Sequence, residues 1–431
     1  MVGLIDCDNF FCSCERVFRP DLAKTPIVVL SNNDGCVVAR SKEVKAMGID
    51  DCLPYYQMME RYPDAGIVAF SSNYALYGDM SARVMTILRE EAPDVMQYSI
   101  DEAFLDLEGI DEAGLWEWGK NLCRKVERCT GMPVSLGIAR TRTLAKVASK
   151  YAKKYAGYGK CCVIATEIQR EKALKIFPVG DVWGIGRRIA RKLEYYNVRT
   201  AYDFARQPRE WVRRMYHVTG ERTWAELNGE SMITTERLDE VMKKTIVTSR
   251  SFPKMITDIG DLRSHIANYA ARCAMKLRRQ RSVCGIVTAF VSSNHFRDDL
   301  PQYSAGDTLT FLTPTATTPE IVRAATSVLD RIYRSGIYYK RAGVMVSAIT
   351  SDRAIQSDLF SYDARVSSKL REVSSAIDRI NGRHGADTVV LGAQQYRERD
   401  SDGKTVKFVN AIRRALKSPE YSTRTDAMLV H

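Results

Sequence analysis

The 431-residue chain lacks any apolar run approaching the roughly 18–20 residues that a membrane-crossing helix needs. Its first residues, Met-Val-Gly-Leu-Ile-Asp, carry no basic leader, and the short apolar run soon meets Asp6 and Asp8. That pattern reads as a strand rather than a signal peptide, so the expected location is the cytoplasm, with no membrane partner. Zinc spacing is also missing. The eleven cysteines form no C-x-x-C pair, and the five histidines are scattered, which argues against a structural zinc site. Reduced thiols with a packing role are expected instead. There is no low-complexity segment and no repeat.

Hydrophobic residues make up 45% of the chain, enough for buried cores, and the length fits two to four domains. The formal net charge is +12. It is unevenly spread: residues 1–78 are net −3, whereas residues 244–350 carry 15 basic against 7 acidic side chains, net +8. A basic module downstream of an acidic one suits a polyanion such as nucleic acid.

The hydrophobic pattern predicts an N-terminal α+β module. Val2–Ile5 reads as a strand delivering Asp6 at its end, and Ile27–Leu30 as a second strand closed by a Ser-Asn-Asn-Asp-Gly turn. Val95–Ile100 and Ala103–Leu107 read as strands flanking Asp101-Glu102, and Val134–Ala139 as another. Helical spacing marks Lys42–Met47, Met80–Glu91, the Leu115–Val126 stripe and the Leu144–Tyr155 stripe, giving a sheet with helices on one face. Residues 167–243 read as wholly helical. Residues 244–350 return to alternating strands and helices, a second α+β module, and the last 81 residues are less regular.

Five features carry chemistry. Asp6, Asp101 and Glu102 border apolar runs, and a hard divalent cation with oxygen ligands would satisfy such carboxylates. Neighbouring strand residues point to opposite faces, so Asp101 and Glu102 can share a site only at a hairpin turn or strand end. An isolated Asp-Glu is more often a solvated turn. Phe10-Phe11 follows the first strand; core packing is the plain alternative. Lys146, Lys150, Lys153 and Lys154 share one helix face, suited to a triphosphate or DNA backbone but also to simple solvation. Gly184-Ile185-Gly186-Arg187-Arg188 precedes a helical run and can turn backbone N–H groups toward a phosphate. Gln356-Ser357-Asp358-Leu359-Phe360 offers an apolar pair that could dock into a partner's pocket or lie in a core.

Several longer strings occur together and in order: Asp6-Cys7-Asp8-Asn9-Phe10-Phe11, Val29-Leu30-Ser31-Asn32-Asn33-Asp34-Gly35-Cys36-Val37, Phe70-Ser71-Ser72-Asn73-Tyr74, Ser99-Ile100-Asp101-Glu102-Ala103-Phe104, Asp181-Val182-Trp183-Gly184-Ile185-Gly186-Arg187-Arg188 and Leu312-Thr313-Pro314-Thr315. With them the whole chain resembles the Y-family DNA polymerases, in particular the catalytic subunits of the bacterial DNA polymerase V type.

The resemblance implies a right-hand polymerase. The palm would be 1–18 and 78–166, and the small fingers 19–77. A helical thumb with a helix-hairpin-helix would be 167–243, an α+β little finger gripping DNA 244–350, and a C-terminal tail 351–431. It implies two catalytic Mg²⁺ ions on Asp6, Asp101, Glu102 and the Cys7 backbone carbonyl. It implies a steric gate at Phe11, nucleotide contacts from Phe10, Lys45 and Lys153, and DNA contacts from Gly184, Gly186, Arg187 and Arg188. Gln356, Leu359 and Phe360 match a sliding-clamp motif. Lys42 stands where the family often has tyrosine, which removes a stacking surface. The implied function is template-directed synthesis across damaged bases in the SOS response. Implied partners are primer-template DNA, dNTP, the sliding clamp, a UmuD-like dimer and RecA, with nucleoid association. Two other classes compete: a catalytically silent DNA-binding adaptor recruited through the clamp, against which the three carboxylates count, and a nucleotide cyclase, which would need no duplex-holding module.

Overall fold

The computed structural model describes residues 1–234, 242–357, 363–399, 405–408, 414–419 and 421. The chain divides into two compact units, Met1–Val241 with Arg413–His431, and Met242–Ile412.

The first unit begins β1 (Val2–Cys7), α1 (Phe10–Val17), β2 (Ile27–Leu30), β3 (Val37–Arg40), α2 (Lys42–Ala46), α3 (Tyr55–Arg61), β4 (Val68–Ser71) and α4 (Tyr74–Glu91). It continues β5 (Asp94–Gln97), β6 (Glu102–Asp106), α5 (Leu115–Thr130), β7 (Val134–Ala139), α6 (Arg142–Lys154) and β8 (Cys161–Ile164). Four helices follow: α7 (Glu167–Ile176), α8 (Arg187–Tyr195), α9 (Ala201–Ala205) and α10 (Arg209–Leu227).

The main sheet has the order β5-β6-β1-β7-β8. The alternation of side chains along β1 divides its residues between two cores. Ile5 and Cys7 join Ala103, Leu105, Leu136 and the apolar faces of α4 and α5. Leu4 joins Phe104 and the apolar face of α6. Helices therefore cover both faces, not the single face expected from the sequence. Every residue of β7 is buried as a result, as in a strand covered on both sides. A separate small sheet, β3-β2-β4, packs α2 and α3 through Val28, Leu30, Val44 and Met58.

Close approach of α6 to the main sheet requires Gly137 on β7. A Cβ there would lie 2.0 Å from the Ser149 nitrogen and 2.3 Å from the Ala145 oxygen, both backbone atoms. This fixes the height of α6 above β1 and β6.

The second unit is a four-stranded antiparallel sheet, β11-β10-β12-β9, formed by β9 (Ile246–Ile256), β10 (Ser282–Ser293), β11 (Ser304–Thr315) and β12 (Tyr339–Ser351). Its core is shared with α11 (Ile259–Arg279) and α12 (Thr318–Ile332). Helix α13 (Ala364–His384), in a stretch expected to be less regular, is tied on by Arg278–Asp378 at 2.7 Å and by the Ser374 hydroxyl at the Thr318 N–H. A short hairpin, β13 (Tyr396–Arg399) with β14 (Thr405–Phe408), follows. Among the described residues no helix is long and apolar enough to cross a membrane.

Gly137→Ala should lower the stability of the first unit by at least about 2 kcal/mol, because backbone cannot yield to the added methyl. Gly78→Ala, whose Cβ would meet nothing within 4 Å on α4, should be neutral or slightly stabilising. The check is a urea titration by tryptophan fluorescence, since all five tryptophans lie in this unit. Equal midpoints for the two variants would contradict the packing account.

Candidate active site

Antiparallel pairing of β1 with β6 sets Asp6 directly opposite Glu102. Both lie on the face that α6 covers. Asp101 is the last residue of the turn between β5 and β6, and Glu102 the first residue of the strand, so the neighbouring carboxylates escape the opposite-face rule. The turn is held by Ser99. Its hydroxyl accepts the Asp101 N–H at 3.1 Å and the Glu102 N–H at 2.9 Å, and donates to Asp101 Oδ1 at 2.5 Å. The Cys7 N–H donates to the Asp101 carbonyl at 2.9 Å, tying the turn to β1. Cys7 itself points into the core, where burial pushes its thiol well up, leaving only its backbone for the site.

Two lysines of α6, seven residues and so two turns or about 10 Å apart, face these acids. Lys153 pairs with Asp6, and Lys146 Nζ lies 3.0 Å from Glu102 Oε2. Lys146 is held over the rings of Tyr98 at 4.6 Å, Trp183 at 5.3 Å and Phe104 at 5.9 Å, a cation–π seat that fixes its direction. Burial pushes the Asp6 carboxyl up to about 7; Lys153 pulls it back, and Glu102 and Asp101 add to the rise. The other two lysines of the stripe point elsewhere: Lys150 pairs with Asp181 at 2.7 Å, and Lys154 lies over Tyr155.

A fourth acid, Asp8, was given no role by the sequence reading. Asp8 accepts hydrogen bonds from the Ser135 hydroxyl at 3.0 Å and from Lys160 at 2.6 Å, and lies 3.8 Å from Lys153. The signal was its place two residues after Asp6.

Asn9 has a left-handed backbone, φ 51, and starts α1. The two phenylalanines follow as consecutive helix positions and so point about 100° apart around α1. Phe10 is buried in the core, leaving only its backbone for a ligand. Phe11 is half-buried, stacked on Tyr77 at 4.5 Å and edge-on to Tyr74 at 6.0 Å. Lys45 on α2 reaches Asn9 Oδ1 at 2.6 Å, so its ammonium stands near the start of α1; Lys42, on the same helix, is exposed. Gly186 begins α8 without a side-chain cap, and Gly184 has φ +92, a conformation that favours glycine. Arg187 and Arg188 are exposed beside those free N–H groups. Gln356 lies just past β12, while Leu359 and Phe360 lie outside the described residues.

The donor chemistry fits a hard divalent cation: carboxylate oxygens rimmed by apolar side chains. Among the described residues, however, no three acidic, histidine or cysteine side chains converge closely enough to hold one. The lysine ammoniums neutralise Asp6 and Glu102 in their place.

Residues 5–150 match the model of the impB/mucB/samB family, and residues 243–359 match that family's C-terminal domain. Protein UmuC of Salmonella typhimurium is 41% identical over 433 residues, covering 100% of this chain and 99% of that protein. The chain belongs to the impB/mucB/samB family of Y-family DNA polymerases. DNA polymerase IV of Brucella melitensis is 26% identical, over 90% of this chain and 84% of that protein. The Y-family DNA polymerase chimera Dbh-Dpo4-Dbh shares the fold with a TM-score of 0.65 at 20% identity, covering 81% of this chain and 99% of that one. Residues 371–430 match a domain of unknown function. Y-family DNA polymerases generally use divalent metal ions.

Ser99→Ala removes the acceptor for two turn N–H groups without touching the core. Primer extension should fall about tenfold in kcat/KM, roughly 1.4 kcal/mol of transition-state stabilisation, with the far-UV circular dichroism unchanged. Wild-type kcat/KM would show that the turn does not need its serine.

Proposed function

We propose that this polymerase extends primers across damaged template bases in the SOS response by two-metal nucleotidyl transfer at Asp6, Asp101 and Glu102. The observation that carries the reading is the pairing of Asp6 with Glu102 across β1 and β6, with Asp101 held beside them by the Ser99 turn. Two Mg²⁺ ions, with the Cys7 carbonyl as a further ligand, would activate a primer 3′-hydroxyl and stabilise the leaving pyrophosphate.

The chain's own groups do the rest. Lys153 would release Asp6 and turn to the triphosphate, and Lys45 would bind the same anion from the other side. The Phe10 backbone would lie along that path. Phe11 would stand against the sugar, its ring excluding a 2′-hydroxyl. Gly184, Gly186, Arg187 and Arg188 would hold duplex phosphates through helix N–H groups and guanidiniums. The palm would be residues 1–18 and 78–166, the fingers 19–77, the thumb 167–243, the little finger 244–350 and the tail 351–431. The net +8 of residues 244–350 supports a duplex-gripping role. Gln356, Leu359 and Phe360 would bind the sliding clamp, and a UmuD-like dimer and RecA would be further partners of an enzyme in the cytoplasm, at the nucleoid.

Primer extension on an abasic-site template, with Mg²⁺ and loaded clamp, tests the proposal. Wild type should pass the lesion, Asp101→Ala should fall at least about a thousandfold, and alanines at Leu359 and Phe360 should lose only the stimulation by clamp. If wild type and Asp101→Ala stay equally silent after addition of activated RecA and the UmuD-like dimer, the adaptor reading replaces this one.

A further inference from the structure

The described tail residues, 414–419 and Tyr421, pack within the first unit against the elements that support Phe11. β4 is an edge strand of its small sheet, and an edge leaves backbone groups unpaired. The tail covers it at one position. The Ser71 N–H donates to the Leu416 carbonyl at 3.0 Å, and the Leu416 N–H donates to Ser71 Oγ at 2.9 Å. Asp34, in the loop between β2 and β3, joins the same knot, accepting from Ser71 Oγ at 2.6 Å and from the Ala415 N–H at 3.0 Å.

Two residues on, Ser418 is buried. Its hydroxyl accepts from Asn73 Nδ2 at 3.0 Å, and Asn73 Oδ1 caps the Leu76 N–H at the start of α4. Ser418 also faces Glu15, a fully buried acid on α1 that takes the Tyr77 hydroxyl at 2.8 Å. Burial pushes the Glu15 carboxyl up, and the hydroxyls of Tyr77 and Ser418 pull it back. Tyr421 then stacks on Phe18 at 4.5 Å, nearly parallel. Tyr74 and Tyr77, the two rings against Phe11, sit on the first turn of the helix that Asn73 caps. The tail thus meets the polar groups that set where α4 starts and how Tyr77 is anchored.

We propose that this stretch of the domain of unknown function is a positioning strap. Through Asn73, Glu15 and Tyr77 it holds the Phe11 ring at the distance that discriminates deoxyribonucleotides from ribonucleotides. The inference rests on the proposed gate role of Phe11. Ser418 and the Leu416 N–H are positioning groups and touch no nucleotide.

The test is the ratio of kcat/KM for a dNTP to that for the matching rNTP, measured in full-length chains with undamaged primer-template. A ratio does not depend on the fraction of folded enzyme. Ser418→Ala and Leu416→Pro, which remove a hydroxyl and an N–H, should each lower the ratio threefold or more, chiefly by lowering KM for the rNTP. Ser418→Thr, which keeps the hydroxyl, should match wild type. Phe11→Ala serves as the reference and should lower the ratio further than either. Ratios within twofold of wild type in both tail variants, beside a collapsed ratio in Phe11→Ala, would overturn the strap and leave the gate standing. An unchanged ratio in Phe11→Ala would overturn both.

Discussion

The structure depends on the antiparallel register that puts Asp6 opposite Glu102 at the end of the central strand of a sheet covered on both faces. Two carboxylates set so close repel each other, and Asp6 also loses part of its hydration, so burial and the neighbouring acids push it up to about 7. Helix α6 relieves that cost with Lys146 and Lys153, and Gly137 lets the helix come near enough to do so. The same apolar surroundings that penalise bare carboxylates strengthen their attraction for any cation that replaces the lysines. The fold therefore keeps a site of high negative potential in a neutralised resting form.

A second dependence runs through aromatic contacts. Phe11 has no polar anchor of its own; its place follows from the left-handed turn at Asn9 and from the rings of Tyr74 and Tyr77 on α4. Anything that shifts the start of α4 shifts Phe11. The buried Glu15–Tyr77 bond and the Asn73 cap are the polar constraints on that start, and both meet Ser418, more than three hundred positions away in the sequence. The sequence-distant tail is thus built into the support of the site rather than appended to it.

Much of this was legible in the residues. The apolar runs ending at Asp6 and flanking Asp101-Glu102 located three acids, and the α+β class followed from the alternation of strands and helices. The requirement that Asp101 and Glu102 sit at a turn or strand end was met by the Ser99 turn, although nothing in the pattern singled out Ser99 itself. Single-face covering of the sheet was misjudged, because amphipathic stripes tell that a helix packs but not on which side. The roles of Lys146 and Trp183 came from cation–π geometry between segments far apart in sequence. Helix α13 did carry a signal, Val366, Leu370, Val373, Ile377 and Ile380 at helical spacing, which the sequence reading passed over. The docking of Ser418 was not legible, since so short a polar segment carries no periodicity and its order comes from partners supplied by the fold.

The most direct test of the central claim, that Asp6, Asp101 and Glu102 together bind the divalent ions of a polymerase, is Mn²⁺ binding followed by electron paramagnetic resonance. The full chain would be held on a dideoxy-terminated primer-template with the incoming dNTP. The account predicts two tightly bound Mn²⁺ ions in wild type, with at least one lost in Asp101→Ala and in Glu102→Gln. Identical Mn²⁺ stoichiometry and affinity in wild type and both variants would contradict it.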